Sequence, residues 1–200
     1  KTRVLVGDVC MRSADDLGYA VARELQPATF TDRACVGGTI ESLTRPAAVP
    51  GGSSPQINGV GPHTHLVTVT VGANSMEFGA VITHCFKRPD PTWCRWAATA
   101  KLPGSAEYES VREHYRAAID LVRHRAAADV LVVLVGYLPI HTESGPVPPA
   151  CLAETGDQEE NIASWRVFHR ALTQLVRDVA ADTGAEYVAV PSDHPVCSPQ

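Results

Sequence analysis

Three places in the chain hold residues suited to acyl chemistry. Gly37 follows a β-rich run, and glycine at such a point lets a backbone N–H approach a ligand closely. Asn74 ends the run LVTVTV after Gly72 and Ala73, where its side-chain amide could donate to a developing oxyanion. His194 lies beyond the last apolar run, where an imidazole could act as general base, with Asp193 beside it. Each has a bland counterpart. Strand-end glycine is commonly turn geometry, asparagine there commonly closes an Asx-turn, and a tail histidine is commonly solvated. Taken singly, the bland counterparts prevail; the grouping is what gives the residues weight.

These residues must be carried by alternating strands and helices. Arg3–Val9 (RVLVGDV) and Thr29–Cys35 read as strands, as do Leu66–Val71, Asp129–Val135 (DVLVVLV) and Tyr187–Val190. Ser13 with Asp15 and Asp16 reads as the capped start of a helix reaching Leu25, with Leu17, Val21 and Leu25 at intervals of four. Met76–Cys85 reads as a helix opened by Ser75. Glu107–Ala126 is amphipathic, with Tyr108, Val111, Tyr115, Ile119 and Val122 on one face. Glu159–Ala181 carries the stripe Ile162, Trp165, Phe168, Leu172, Val176 and Val179. Pro46–Gly61 and residues 137–157 read as loops, and Lys87–Gly104, with three prolines and two tryptophans, as a surface excursion. DVLVVLV is apolar on both faces, which indicates a central parallel strand. The alternation implies βαβ units and a parallel sheet covered on both faces, with ligands bound beyond the carboxyl ends of the strands.

Composition narrows the classes. The 200 residues suit a single domain spanning 1–200, and no repeat or linker divides them. Lys+Arg 17 against Asp+Glu 22 leaves a net charge of −5, so the basic footprint of a nucleic-acid binder is missing. The longest apolar run, near Val130–Val135, is far short of the roughly 18 residues that span a bilayer. Six cysteines without CxxC spacing argue against a zinc ribbon or a thioredoxin-type site. An even, scattered set suggests three disulfides in an oxidising, extracytoplasmic compartment, with any leader already removed. The pairing stays open on these grounds.

Taken together, several blocks resemble the SGNH (GDSL-type) hydrolases, and within them the secreted actinobacterial lipases and esterases with three disulfides. The blocks are Cys10–Ser13, Ala34-Cys35-Val36-Gly37-Gly38, LVTVTVGANSMEF over Leu66–Phe78 with Cys85 shortly after, and Asp193-His194-Pro195-Val196-Cys197. Their order agrees over nearly the whole chain. The resemblance implies a flavodoxin-like three-layer αβα sandwich on a five-stranded parallel sheet. It also implies the pairing Cys10–Cys35, Cys85–Cys94 and Cys151–Cys197. It gives Gly37 and Asn74 the oxyanion, His194 the role of base, and a small acyl ester as substrate. No cofactor is implied, and a monomer is expected.

The departures from the pattern matter as much. The resembled family begins with Gly-Asp-Ser, its serine the nucleophile, whereas Gly7-Asp8 here is followed by Val9. Valine has no lone pair with which to attack an ester. Cys10 follows at once, so the loop that separates the two blocks in the resembled family is missing. Gly-x-Asn-Asp reads Gly72-Ala73-Asn74-Ser75, and the acid three residues before the histidine falls on Pro191, which offers only its carbonyl. Asp193 orients His194 poorly, because consecutive side chains of an extended tail point apart. Three explanations stay open. The nucleophile block could lie upstream of Lys1, with Arg3–Val9 a loop. Another group could have replaced the serine, although Cys10 is expected in a disulfide and Ser13 as a cap. The fold could have kept its pocket while losing hydrolysis, as a binding protein or with His194 in acid–base chemistry alone.

The remaining candidates are weaker. His63 and His65, with His84 nearby, lack a third ligand at metal spacing, so no metal is expected. His114 and His124 sit among arginines on the outer side of their helix, and Glu159 and Glu160 complement a helix dipole. Trp93 and Trp96 flank Cys94 and are read as packing beneath its disulfide loop rather than as a lip to the pocket.

Overall fold

The computed structural model describes residues 8–47, 54–87, 89–147 and 159–191. Three strands form a parallel sheet in the order β1 (Leu66–Val69), β2 (Leu131–Val135) and β3 (Glu186–Val188). Val69 faces Leu134 across the first pair, and Leu134 faces Tyr187 across the second. β2 is central, as its doubly apolar sequence requires. Its Val132 and Leu134 are fully buried.

Two long helices supply the core against this sheet. The helix α5 (Ala106–Arg125) is capped by Ser105, whose hydroxyl accepts the Tyr108 N–H at 3.1 Å. It buries Tyr108, Tyr115, Ala118, Ile119 and Val122. The helix α6 (Glu159–Thr183) buries all six residues of the expected stripe. Both elements match their expected extents within two residues.

Elsewhere the sequence expectations are corrected. The helix α4 (Pro91–Ala100) occupies what was expected to be an irregular excursion at 87–104. Asp90 caps it, accepting the Trp93 N–H at 3.0 Å, and Pro91 occupies the first turn, where a missing N–H costs nothing. Pro89 and Pro103 lie outside the helix, so the prolines bound it rather than break it. Trp93 is half-buried and stacks on His84 at 3.8 Å, whereas Trp96 is 56% exposed and is not packed beneath the disulfide. The helix expected at 76–85 divides into α3 (Phe78–Ile82) and a π-helical turn Thr83–Lys87. Ser75 does not cap it. The helix α1 (Leu17–Leu25) is capped by Asp16, which accepts the Tyr19 N–H at 2.9 Å, rather than by Ser13.

The N-terminal strands differ most from expectation. Thr29–Cys35 is irregular, and side chains take the backbone groups a ladder would use. Asp32 Oδ1 accepts the Ala34 N–H at 2.8 Å, and Arg12 donates to the Asp32 carbonyl at 2.7 Å. Asp8 is irregular and Val9 lies in a turn closed by Met11 N–H to the Asp8 carbonyl at 3.0 Å, so no strand reaches Val9; residues 3–7 lie outside the described ones. Three strands, not five, are therefore seen among the described residues. A short helix α2 (Glu41–Thr44) and a 3-10 turn (Gln56–Gly59) complete the elements, the latter within the expected loop at 46–61.

Candidate functional site

The segment Gly72–Ser75 follows β1 and is held from several sides. Gly72 adopts φ +127°, a backbone conformation that side chains rarely take, and sits against Leu172, Leu175 and Tyr115. The Met76 N–H donates to the Gly72 carbonyl at 2.9 Å, closing the turn on itself. The Ser75 hydroxyl accepts the Ile40 N–H at 3.0 Å, and Lys101 Nζ donates to the Ser75 carbonyl at 3.2 Å. Ser75, where the resembled pattern has an acid, thus ties this segment to residues 37–40. Tyr137, just past the end of β2, accepts the Ala73 N–H on its hydroxyl at 3.1 Å.

The segment around Gly37 is tethered covalently. Cys10 and Cys35 form a disulfide, and the Val36 N–H donates to the Cys10 carbonyl at 3.0 Å. Asp8 accepts from Cys10 N–H at 2.9 Å and from Arg12 Nε at 2.6 Å, and the guanidinium holds its carboxyl below the usual carboxylate range. Gly37 has φ +71°, with no atom within 4 Å of the place a Cβ would occupy. Its N–H has no acceptor among the described residues. The Gly38 N–H closes a turn onto the Cys35 carbonyl at 3.0 Å.

The two segments meet at Asn74. Its Nδ2 donates to the Gly38 carbonyl at 3.0 Å while the residue remains exposed. A primary amide carries two N–H bonds, so one fixes the side chain and the other is left to donate elsewhere. Donors held on two neighbouring loops are the type of group that can stabilise an oxygen gaining negative charge.

The other expected site residues are distributed differently. Val9 is 48% exposed in its turn, next to Cys10, which is bridged to Cys35 and whose carbonyl accepts the Val36 N–H. Asp193, His194, Cys151 and Cys197 lie outside the described residues. The second disulfide, Cys85–Cys94, forms as the resemblance implies. Ser13 is buried and accepts the Asp15 N–H at 3.1 Å. His65 pairs with Asp129 at 2.9 Å, and no group of three metal-ligating side chains occurs among the described residues. His114 and His124 are exposed, as expected. Tyr137 opens the loop expected at 137–157, just past the Asp129–Val135 strand, and sequence reasoning assigned it no role. Sequence reasoning also missed His169, which is buried on α6 with Nε2 at 3.3 Å from the Tyr137 carbonyl. Burial lowers the pKa of His169 and pushes that of Tyr137 up to about 12.

Comparison with known proteins agrees with this architecture. Lipase 2 of Streptomyces coelicolor is 26% identical over 196 residues, covering 94% of this chain and 65% of that protein. The chain thus spans a little under two thirds of that relative. The crystal structure of phospholipase A1 from Streptomyces albidoflavus superposes with a TM-score of 0.73 at 24% identity, covering 90% of this chain and 68% of that one. An extracellular lipase from Streptomyces rimosus gives 0.76 at 21% identity, covering 95% and 74%. The fold is therefore the αβα arrangement of the SGNH hydrolases. Residues 5–200 match the GDSL-like Lipase/Acylhydrolase family, and the chain belongs to it.

Proposed function

We propose that this chain carries the oxyanion-binding part of a carboxylic-ester hydrolase acting on small or lipid-like acyl esters. The observation that carries the reading is the Asn74 amide, fixed on the carbonyl of Gly38, the residue next to Gly37 with its open N–H. In ester hydrolysis the carbonyl oxygen becomes negative as the tetrahedral intermediate forms, and donors already aimed at it lower the barrier. Gly37 supplies the backbone donor and Asn74 the side-chain donor. His194 is the base that takes the nucleophile's proton and later returns one to the leaving alcohol, oriented by the Pro191 carbonyl or by Asp193. The two disulfides support an extracellular site of action. The family and the lipases it resembles support an ester as substrate.

The nucleophile is not Val9, which has no group to attack with. That substitution favours a second reading, in which the scaffold binds an acyl ligand without cleaving it. Intact mass after incubation with a fluorophosphonate, followed by peptide mapping, separates the two. A stoichiometric adduct on folded, oxidised protein is expected for the hydrolase, and the labelled peptide names the nucleophile. Turnover that survives His194→Ala would remove His194 as base. No adduct and no ester turnover would overturn hydrolysis in favour of binding; a gain of turnover in Val9→Ser would then show the remaining site competent.

A further inference from the structure

We infer that Tyr137 is a positioning residue for the oxyanion donor Asn74, acting through the Ala73 N–H that its hydroxyl accepts. The inference rests on the hydrolase reading and adds a residue to it. Register makes the contact natural. Val69 pairs with Leu134 across adjacent parallel strands, so the segments leaving their carboxyl ends run side by side. Ala73 lies four residues beyond Val69 and Tyr137 three beyond Leu134. The phenol spans the remaining gap, with Oη 3.1 Å from Ala73 N.

The peptide that Tyr137 anchors is Gly72–Ala73, one peptide ahead of the one that leads into Asn74. Ala73 is 7% exposed, so its N–H has little access to water if the hydroxyl is removed. A buried donor left without an acceptor is costly. With the Gly72 carbonyl still held by the Met76 N–H, relief comes from tilting the Gly72–Ala73 peptide, which displaces the chain leading into Asn74. Catalytic rates respond steeply to such displacement, because donors stabilise the oxyanion only in a narrow geometry. Tyr137 is itself braced, since its carbonyl lies 3.3 Å from His169 Nε2 on α6. The bracing passes from the best-packed helix, through one backbone and one phenol, to the loop that presents Asn74. Burial keeps the phenol protonated across the working pH range of an esterase.

Tyr137→Phe keeps the ring and deletes only the hydroxyl. With p-nitrophenyl butyrate as substrate, kcat is expected to fall about 10- to 100-fold while KM stays within about twofold. Asn74→Ala and the double variant complete a cycle. If Tyr137 works through Asn74, the double variant is no slower than Asn74→Ala alone. A full additional loss in the double variant, or an unchanged kcat in Tyr137→Phe, overturns the inference. Amide exchange by NMR supplies a second readout that needs no turnover. Faster exchange at Ala73 with a shifted Asn74 side-chain amide is expected in Tyr137→Phe, and unchanged signals count against the anchor. Absence of turnover in the unaltered protein would fall on the hydrolase reading, and the exchange data would still decide whether Tyr137 holds the loop.

Discussion

The two flanks of the candidate site are stabilised by different physics. On one side, β2, α5 and α6 enclose a dense apolar core in which Trp165, Phe168, Leu172 and Leu175 are almost wholly buried. On the other, α1 buries no residue, and its Leu17 and Leu25 are 50% and 61% exposed. What holds residues 8–38 is instead covalent and polar: the Cys10–Cys35 bridge and the hydrogen bonds joining Asp8, Arg12 and Asp32. Ile40 and Leu43, just beyond, join the apolar core. Gly37 comes from the tethered flank and Asn74 from the packed one. Their segments are joined by the hydrogen bonds from Asn74 Nδ2 to the Gly38 carbonyl and from the Ile40 N–H to the Ser75 hydroxyl. The geometry of the donor pair therefore depends on both kinds of restraint at once.

The contrast is broken most severely from the packed side. Trp165→Ala removes a side chain that meets Phe78, Phe86 and Phe168, and is expected to cost about 3–5 kcal/mol. Leu25→Ala on α1 is expected to change stability by no more than about 0.5 kcal/mol. Urea unfolding of the two variants measures the asymmetry. Comparable losses would mean that α1 is packed in solution and that the flanks are alike.

Next in size is the junction itself. Asn74→Ala deletes the proposed oxyanion donor and the link to Gly38 together. The expected loss is about 100- to 1000-fold in kcat, with unfolding little changed because the residue is exposed. A variant that keeps its rate would remove Asn74 from the site.

The tethered flank is sharpened by cutting its bridge. Replacing Cys10 and Cys35 by serine releases a loop whose ends are 25 positions apart, a loss of about 3.5 kcal/mol on the chain-entropy account. The distinguishing expectation is locality. Hydrogen exchange should accelerate across 8–38, while α5 and α6, which share no covalent restraint with that flank, keep their protection. Uniform acceleration would show that the two flanks unfold as one unit.

The same division explains what the sequence made legible. The elements of the packed flank declare themselves because burial imposes periodicity: β2 is apolar on both faces, and the stripe on α6 repeats every three or four residues. In the tethered flank the β-branched runs at 3–9 and 29–35 suggested strands, but local side-chain bonds from Asp8 and Asp32 decide the backbone where it is described. α4 was hidden by its own boundary prolines. At the site, Gly37 and Asn74 could be singled out because both follow candidate strands and stand in blocks with a family likeness. Tyr137 could be located as a strand-end residue but not given a partner, since its hydrogen bond to Ala73 joins positions 64 apart. The contribution of Ser75 was equally invisible, because it depends on where Ile40 falls in space.

The smallest effect probes the brace behind Tyr137. His169 is 6% exposed and its pKa lies below the ordinary 6.5, with burial the main cause and Arg170 adding to it. The Tyr137 carbonyl and Glu143 act in the opposite direction. The neutral ring, with its proton on Nε2, can donate to that carbonyl, so folding favours the uncharged form. In the unfolded chain the imidazole takes up its proton near 6.5. As pH falls below that value the unfolded state binds more protons than the folded one, and stability declines until the folded value is passed. Above 6.5 the contribution is complete and constant. The slope it adds is at most about 1.4 kcal/mol per pH unit, for one proton. His169→Gln retains an N–H donor and removes the titration. Urea unfolding at pH 7.5, 6.5 and 5.5 should therefore show the variant losing less stability than the parent between 6.5 and 5.5, with the two parallel between 7.5 and 6.5. Parallel behaviour throughout would mean that His169 takes up its proton equally in both states. The brace would then not require a neutral ring.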